Sequence, residues 1–161
     1  MKKILSILII GILSIGLVAC GSTKTSNKEN KENDKPKQEE AKKESIKMPD
    51  KEIGKGKIEL STPGGTSEGD KVPVLMVSKD DQIVQVGLNS EEFDGSKLSY
   101  IFVDGEEVAK EQLSESQTSI DLKGNALKAG KHKVEIVQFD NDKKDGKIIT
   151  YKTESYECKE K

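Results

Sequence analysis

The sequence predicts an all-β fold for residues 55–161, an antiparallel sandwich or barrel of about seven strands, on three observations. From Lys55 onward, short alternating apolar runs are separated by turn residues at intervals of roughly 8–15 positions. Within Tyr100-Ile101-Phe102-Val103-Asp104-Gly105-Glu106-Glu107-Val108, an Asp-Gly pair stands between alternating residues, the signature of a type I′ hairpin. Helical periodicity has little place: Glu107 to Glu115 allows a single turn at most, and a strand followed by a loop suits it better.

Taken in order, the strands are expected at Gly56 to Ser61, Val72 to Ser78, Gln82 to Leu88, Leu98 to Val103, Glu106 to Ala109, Ser116 to Leu122, Lys131 to Phe139 and Lys147 to Glu157. The first is closed by Thr62-Pro63-Gly64-Gly65, whose proline and glycines suit a loop. Asp104-Gly105 joins the fourth and fifth, and the polar run Asn141 to Gly146 joins the last two. A hairpin about a turn near Lys143 would set residue 132 opposite roughly 154.

Before this region the chain has a different texture. Met1-Lys2-Lys3 is a positive start, and Ile4 to Ala19 is an apolar run interrupted only by Ser6, Gly11, Ser14 and Gly16. It is shorter than the ~20 residues needed to cross a hydrocarbon core, which fits a secretory leader over residues 1–19. From Gly21 to Gly54 the only large apolar residues are Ile46, Met48 and Ile53 among mixed charges. A segment so poor in apolar surface cannot offset its ordering entropy, so residues 20–54 read as a disordered tether. As a flexible chain it would span roughly 30–35 Å r.m.s., against a contour limit of about 110 Å.

Composition excludes several roles. All 27 basic residues are Lys, and the net charge is −2. Without the planar guanidinium that reads phosphates and base edges, and without net positive charge, nucleic acid is not an expected partner. The tether carries 9 Lys and 8 acidic residues, whereas Lys55 to Cys158 carries 14 Lys and 20 acidic residues. The domain should therefore be repelled by anionic headgroups.

Few residues could carry chemistry. His132 is the sole histidine; its place just before Val134 and Ile136 is similar to that of a structural corner residue in immunoglobulin-like domains, with a general base as the alternative. Cys158 reads as a half-buried thiol on the terminal strand, about four residues from the position opposite His132 and too far for a Cys-His dyad; intermolecular pairing is its alternative. Asp140-Asn141-Asp142-Lys143-Lys144-Asp145-Gly146 superficially resembles a calcium loop, but two lysines intervene and Lys152 stands where the closing carboxylate belongs. It reads better as a solvated hairpin loop, as Asp80-Asp81 and Glu91-Glu92-Asp94 read as solvated turns. No zinc spacing, phosphate loop or nucleophile elbow occurs, so no metal, cofactor or catalytic residue is expected.

The residues that end the leader, Leu17-Val18-Ala19-Cys20, resemble the lipobox of bacterial lipoproteins at all four positions. The resemblance implies a diacylglyceryl thioether on the Cys20 sulfur, cleavage between Ala19 and Cys20, and a mature N-terminus at Cys20. Two acyl chains anchor stably where one is marginal, at ~0.8 kcal/mol per buried methylene. The alternatives are an ordinary secretory leader with an incidental cysteine, or an uncleaved N-terminal helix. Further on, "LSYIFVDGEEV" and "LKAGKHKVEIVQFD" are similar to two stretches of the immunoglobulin-like domains of bacterial surface proteins, which implies an Ig-like sandwich without the paired cysteines and tryptophan of antibody domains.

These readings lead to a non-enzymatic binding or interaction module, lipid-anchored on the outer face of the cell membrane of what is expected to be a Gram-positive cell. Its expected partners are the membrane, through Cys20, and an envelope protein or wall component. Alternatives are a metal- or small-ligand-binding or enzymatic lipoprotein, and a leader whose fragment Ile12 to Ala19 serves as a signalling peptide. Solute import is disfavoured, because about 100 residues cannot form two lobes that close on a ligand.

Overall fold

The computed structural model describes residues 46–161. The leader, the lipobox at Leu17, Val18, Ala19 and Cys20, and the tether up to residue 45 lie outside the described residues.

Nine strands occur among the described residues: β1 (Lys57–Thr62), β2 (Gly65–Thr66), β3 (Val74–Val77), β4 (Ile83–Glu91), β5 (Ser99–Val103), β6 (Glu106–Glu111), β7 (Ser116–Lys123), β8 (Gly130–Phe139) and β9 (Ile148–Glu160). They form two sheets, ordered β2-β1-β4-β7 and β3-β9-β8-β5-β6, in an Ig-like sandwich. All eight expected strands are present, with no end moved by more than three residues. The two-residue β2 and a short 3₁₀ turn over Gly124–Leu127 were not expected. One pair also departs from the antiparallel expectation: β3 runs parallel to β9, with Val74 opposite Glu157 and Val77 opposite Glu160. After the β1-β2 hairpin the chain crosses to the other sheet and lies along β9, whose edge it covers.

The inner faces meet in one apolar layer. Leu60, Val86, Leu88, Ile120 and Leu122 from one sheet face Leu75, Val77, Ile101, Val103, Val134, Ile136 and Tyr156 from the other. Alternation is visible where one sheet face meets solvent, as in β7, but disappears in β5, where all five residues are buried. The reason is a second apolar cluster on the outer face of the five-stranded sheet: Tyr100, Phe102, Val137, Phe139 and Tyr151, with Ile46 and Met48 packed against it.

Residues 46–54, placed in the tether by the sequence reading, thus lie on the sheet. Ile53 and Tyr151 exchange backbone hydrogen bonds of 3.1 and 3.0 Å, and Glu52 Oε1 accepts from the Thr153 amide at 2.8 Å. Gly54 then turns the chain into β1 with φ +75°, and a Cβ there would come within 2.3 Å of the Ile149 carbonyl oxygen. The position combines a left-handed backbone with close packing, so it requires glycine.

At the β5-β6 hairpin, Val103 faces Glu106 and both turn residues have positive φ, 49° at Asp104 and 80° at Gly105. That is the two-residue turn the Asp-Gly pair predicts.

Candidate functional site

The residues with reactive side chains converge on one corner, where the 3₁₀ turn and Lys128 pass over the starts of β8 and β5-β6. His132 enters it from β8, Tyr156 and Cys158 from the inner face of β9, and Asp104 from the Asp-Gly turn. His132 is opposite Tyr156, and Cys158 is opposite Gly130. The expected register placed residue 132 opposite 154; moving the centre of the hairpin by one residue moves every partner by two.

His132 and Cys158 consequently lie nearer in register than expected, yet they share no hydrogen bond. His132 Nε2 lies 2.7 Å from the Lys128 carbonyl oxygen and Nδ1 lies 2.6 Å from Asp104 Oδ2. Both ring nitrogens therefore face oxygen atoms within hydrogen-bond distance. The imidazole also stacks on the Tyr156 ring at 5.0 Å between centroids. Tyr156 donates its hydroxyl to the Ala126 carbonyl at 2.7 Å, and the Cys158 thiol points at the same oxygen at 3.6 Å.

This corner ties a loop to a strand. A ring at the start of β8 bonding to a carbonyl four residues upstream matches the place and role of the tyrosine corner of immunoglobulin sandwiches, with an imidazole in place of the phenol. Asp104 binds the corner to the neighbouring hairpin, because its second carboxylate oxygen accepts from the Lys133 amide at 2.9 Å.

Cys158 is 1% exposed, not half-buried as the sequence suggested, because β3 covers the outer side of β9 and the 3₁₀ turn lies over the thiol. Burial, with a smaller contribution from the Asp104 carboxylate, pushes the thiol up to about 11. A thiolate is scarce at neutral pH under these conditions, which makes Cys158 a poor nucleophile. Burial also raises the Tyr156 hydroxyl well above the ordinary phenol range.

In the Asp140 to Gly146 loop the polar oxygens are engaged by the chain itself. Asp140 Oδ1 accepts from the Lys147 amide at 3.0 Å, Asp142 Oδ1 from the Leu98 amide at 2.8 Å, and Asp145 Oδ1 from the Asn141 side-chain amide at 3.0 Å. The three carboxylates serve separate donors. Among the described residues, no three His, Cys, Asp or Glu side chains come together as metal ligands. The other two acidic turns are likewise built from local bonds: Asp81 Oδ2 accepts from the Ser78 amide at 2.8 Å, and Asp94 Oδ1 from the Ser96 amide and hydroxyl. The Ser96 hydroxyl is the main reason the Asp94 carboxyl lies below its usual range.

Two features were not read from the sequence. On the outer face of the five-stranded sheet, buried Glu135 accepts from Lys133 Nζ at 2.8 Å and from the Tyr151 hydroxyl. The Glu135 hydrogen bond, followed by that of Tyr151, raises the Lys133 ammonium above its ordinary range. On the other side, a cleft of about 490 Å³ at one end of β1, β4 and β7 is lined by Glu59, Glu68, Asp70, Glu91, Glu115 and Glu154, with Lys57 the single cation in its lining. Burial raises the Glu154 carboxyl. These acids come from five separate segments, so no local spacing could have announced them.

No family model matches this chain, and no curated protein does. Among solved structures, the chain is similar to the fibronectin(III)-like modules of CbhA from Clostridium thermocellum, at 16% identity and a TM-score of 0.39. The match covers 67% of this chain and 48% of that one, so the chain spans about half the length of the structure it matches.

Proposed function

We propose that this protein is a lipid-anchored extracytoplasmic module that works by binding rather than by catalysis: a diacylglyceryl foot on Cys20, a polar tether, and a β-sandwich head that meets an envelope protein or wall component. The observation that carries the anchor is the lipobox Leu17-Val18-Ala19-Cys20 at the end of a short apolar run with a lysine start. What supports a binding role is the use made of the reactive side chains. His132, Cys158 and Tyr156 are bound into the loop-strand corner, and the Asp140 loop spends its carboxylates on backbone and side-chain amides.

The test is crosslinking in intact cells followed by affinity capture and mass spectrometry, with Cys20→Ala as the unanchored control. The expected result is an envelope partner captured by the wild type and lost with Cys20→Ala, which is itself shed into the medium. Retention of Cys20→Ala in the membrane would overturn the anchor. Capture of nothing by an anchored wild type would overturn the interaction role.

A further inference from the structure

Sheet edges expose unpaired backbone donors and acceptors, and folded proteins defend them with charge, bulges, proline or short length. Among the described residues the sandwich has four edges, and three are defended. β1 is overlaid at one end by β2, β3 is only four residues long, and β6 carries a bulge against β5 and charged residues at both ends. The fourth edge, β7, has eight residues, pairs in unbroken register with β4, contains no proline, and carries its charges, Asp121 and Lys123, at one end only, leaving Ser116 to Ile120 uncharged.

We propose that β7 is the contact strand of a two-fold symmetric dimer, in which it pairs antiparallel with β7 of a second copy and Ser119 faces Ser119. Residues facing each other across an antiparallel pair share a sheet face, so a two-fold pairing that keeps both cores on one side must be centred on a residue. Centring on Thr118 sets Asp121 against Glu115, two acids. Centring on Ile120 sets Lys123 against Gln117 and forms no ion pair. Centring on Ser119 sets Lys123 against Glu115, the residue just before β7, once on each side of the axis, and Asp121 against Gln117 twice; within its own copy Glu115 Oε1 accepts from the Glu92 amide at 2.9 Å and Lys123 Nζ lies 3.9 Å from Asp121 Oδ2. Charge therefore selects one register of the three.

The same register places Ile120 beside Thr118 and Leu122 beside Ser116 on the core side, so the two four-stranded sheets continue into one. The outer face offers no obstacle: Gln117, Ser119, Asp121 and Lys123 are all exposed. Such a contact is small, and it depends on concentration. The inference thus rests on the proposed anchorage, which confines copies to one surface and raises their effective concentration.

The test uses the full chain in intact cells. Ser119→Cys would place two thiols across the axis, and Gln85→Cys, on the adjoining β4, serves as an exposed control. Buried Cys158 is common to all variants, and the wild type sets the baseline. Mild oxidation is expected to give a disulfide-linked dimer with Ser119→Cys and none above baseline with Gln85→Cys. Adding Lys123→Glu to Ser119→Cys should cut the dimer roughly five-fold, and further adding Glu115→Lys should restore it. Equal crosslinking at positions 119 and 85, or no recovery in the charge-swapped variant, would overturn the proposal. The membrane-bound fraction, read in the same samples, reports separately on the anchor.

Discussion

At the scale of single residues, the chemistry of this domain is subordinated to its architecture, and the corner around His132 shows how. His132→Ala would leave the Lys128 carbonyl and the Asp104 carboxylate without their shared ring, at an expected cost of about 2–3 kcal/mol in denaturant unfolding. His132→Tyr should recover part of that loss, since a phenol serves the same corner in related sandwiches. Cys158 makes a second prediction. Its thiol ionises at about 11 in the folded state against an ordinary 9.0. Above pH 9 the unfolded chain therefore sheds that proton first, and stability should fall as pH rises towards about 11. Tyr156, raised in the same direction, adds to the fall, so Cys158→Ala should flatten it without abolishing it. An aromatic disulfide reagent should leave Cys158 untouched in the folded protein and titrate it in denaturant. The Asp104-Gly105 turn was legible because its signal is local, and the corner place of His132 was legible through the resemblance of its stretch to immunoglobulin-like domains. The sequence could not show that Asp104, 28 positions away, is the partner of His132, nor that Cys158 is fully covered, because β3 comes from the far end of the domain.

At the scale of elements, alternation, together with turn spacing, located all eight longer strands, most of which obey a local rule: one face towards apolar neighbours, one towards water. It gave less on β5, where Ser99 to Val103 are buried on both faces, since a strand covered on both sides has no reason to alternate. The covering segment was the least legible of all. Ile46, Met48 and Ile53 are too few and too separated to mark an element: Ile46 and Met48 make sense only on the aromatic surface they cover, and Ile53 is exposed and held by its backbone bridge to Tyr151. Gly54 is the pivot of that segment. Gly54→Ala should destabilise the domain by roughly 1–3 kcal/mol, because a left-handed backbone and a carbonyl 2.3 Å from the added methyl both oppose it. Met48→Ala is expected to have a milder effect, and the two can be compared by thermal unfolding. The register of β8 and β9 illustrates the remaining limit. Their pairing changes at a bulge between Gln138 and Phe139, and no residue type in the loop betrays where the hairpin centre falls.

At the scale of the whole molecule, an Ig-like sandwich is compatible with adhesion, binding and simple spacing alike, so its work is decided by what lies on its edges and faces. The all-β class was legible from strand number and spacing and the sandwich from the resemblance of two stretches to immunoglobulin-like domains, whereas the parallel β3-β9 pair and the acidic cleft were not, since both depend on which strands end up as neighbours. One consequence of the N-terminal segment concerns mechanics. With the anchor at Cys20, as proposed, any pull between the membrane and a partner held by the head reaches β1 through the run from Ile46 to Ile53. That run is held by the packing of Ile46 and Met48 on the outer aromatic cluster, by the backbone bridge at Ile53-Tyr151 and by the Glu52 contacts, and beyond it lies the continuous ladder between β1 and β4. Contacts loaded from one end yield in succession, so this segment should peel away at low force and pay out about 25 Å of chain while the sandwich stays intact. In a force-extension trace the expected mark is a small early step ahead of the main rupture, and Glu52→Ala together with Met48→Ala should shift that step to lower force while leaving the main rupture in place.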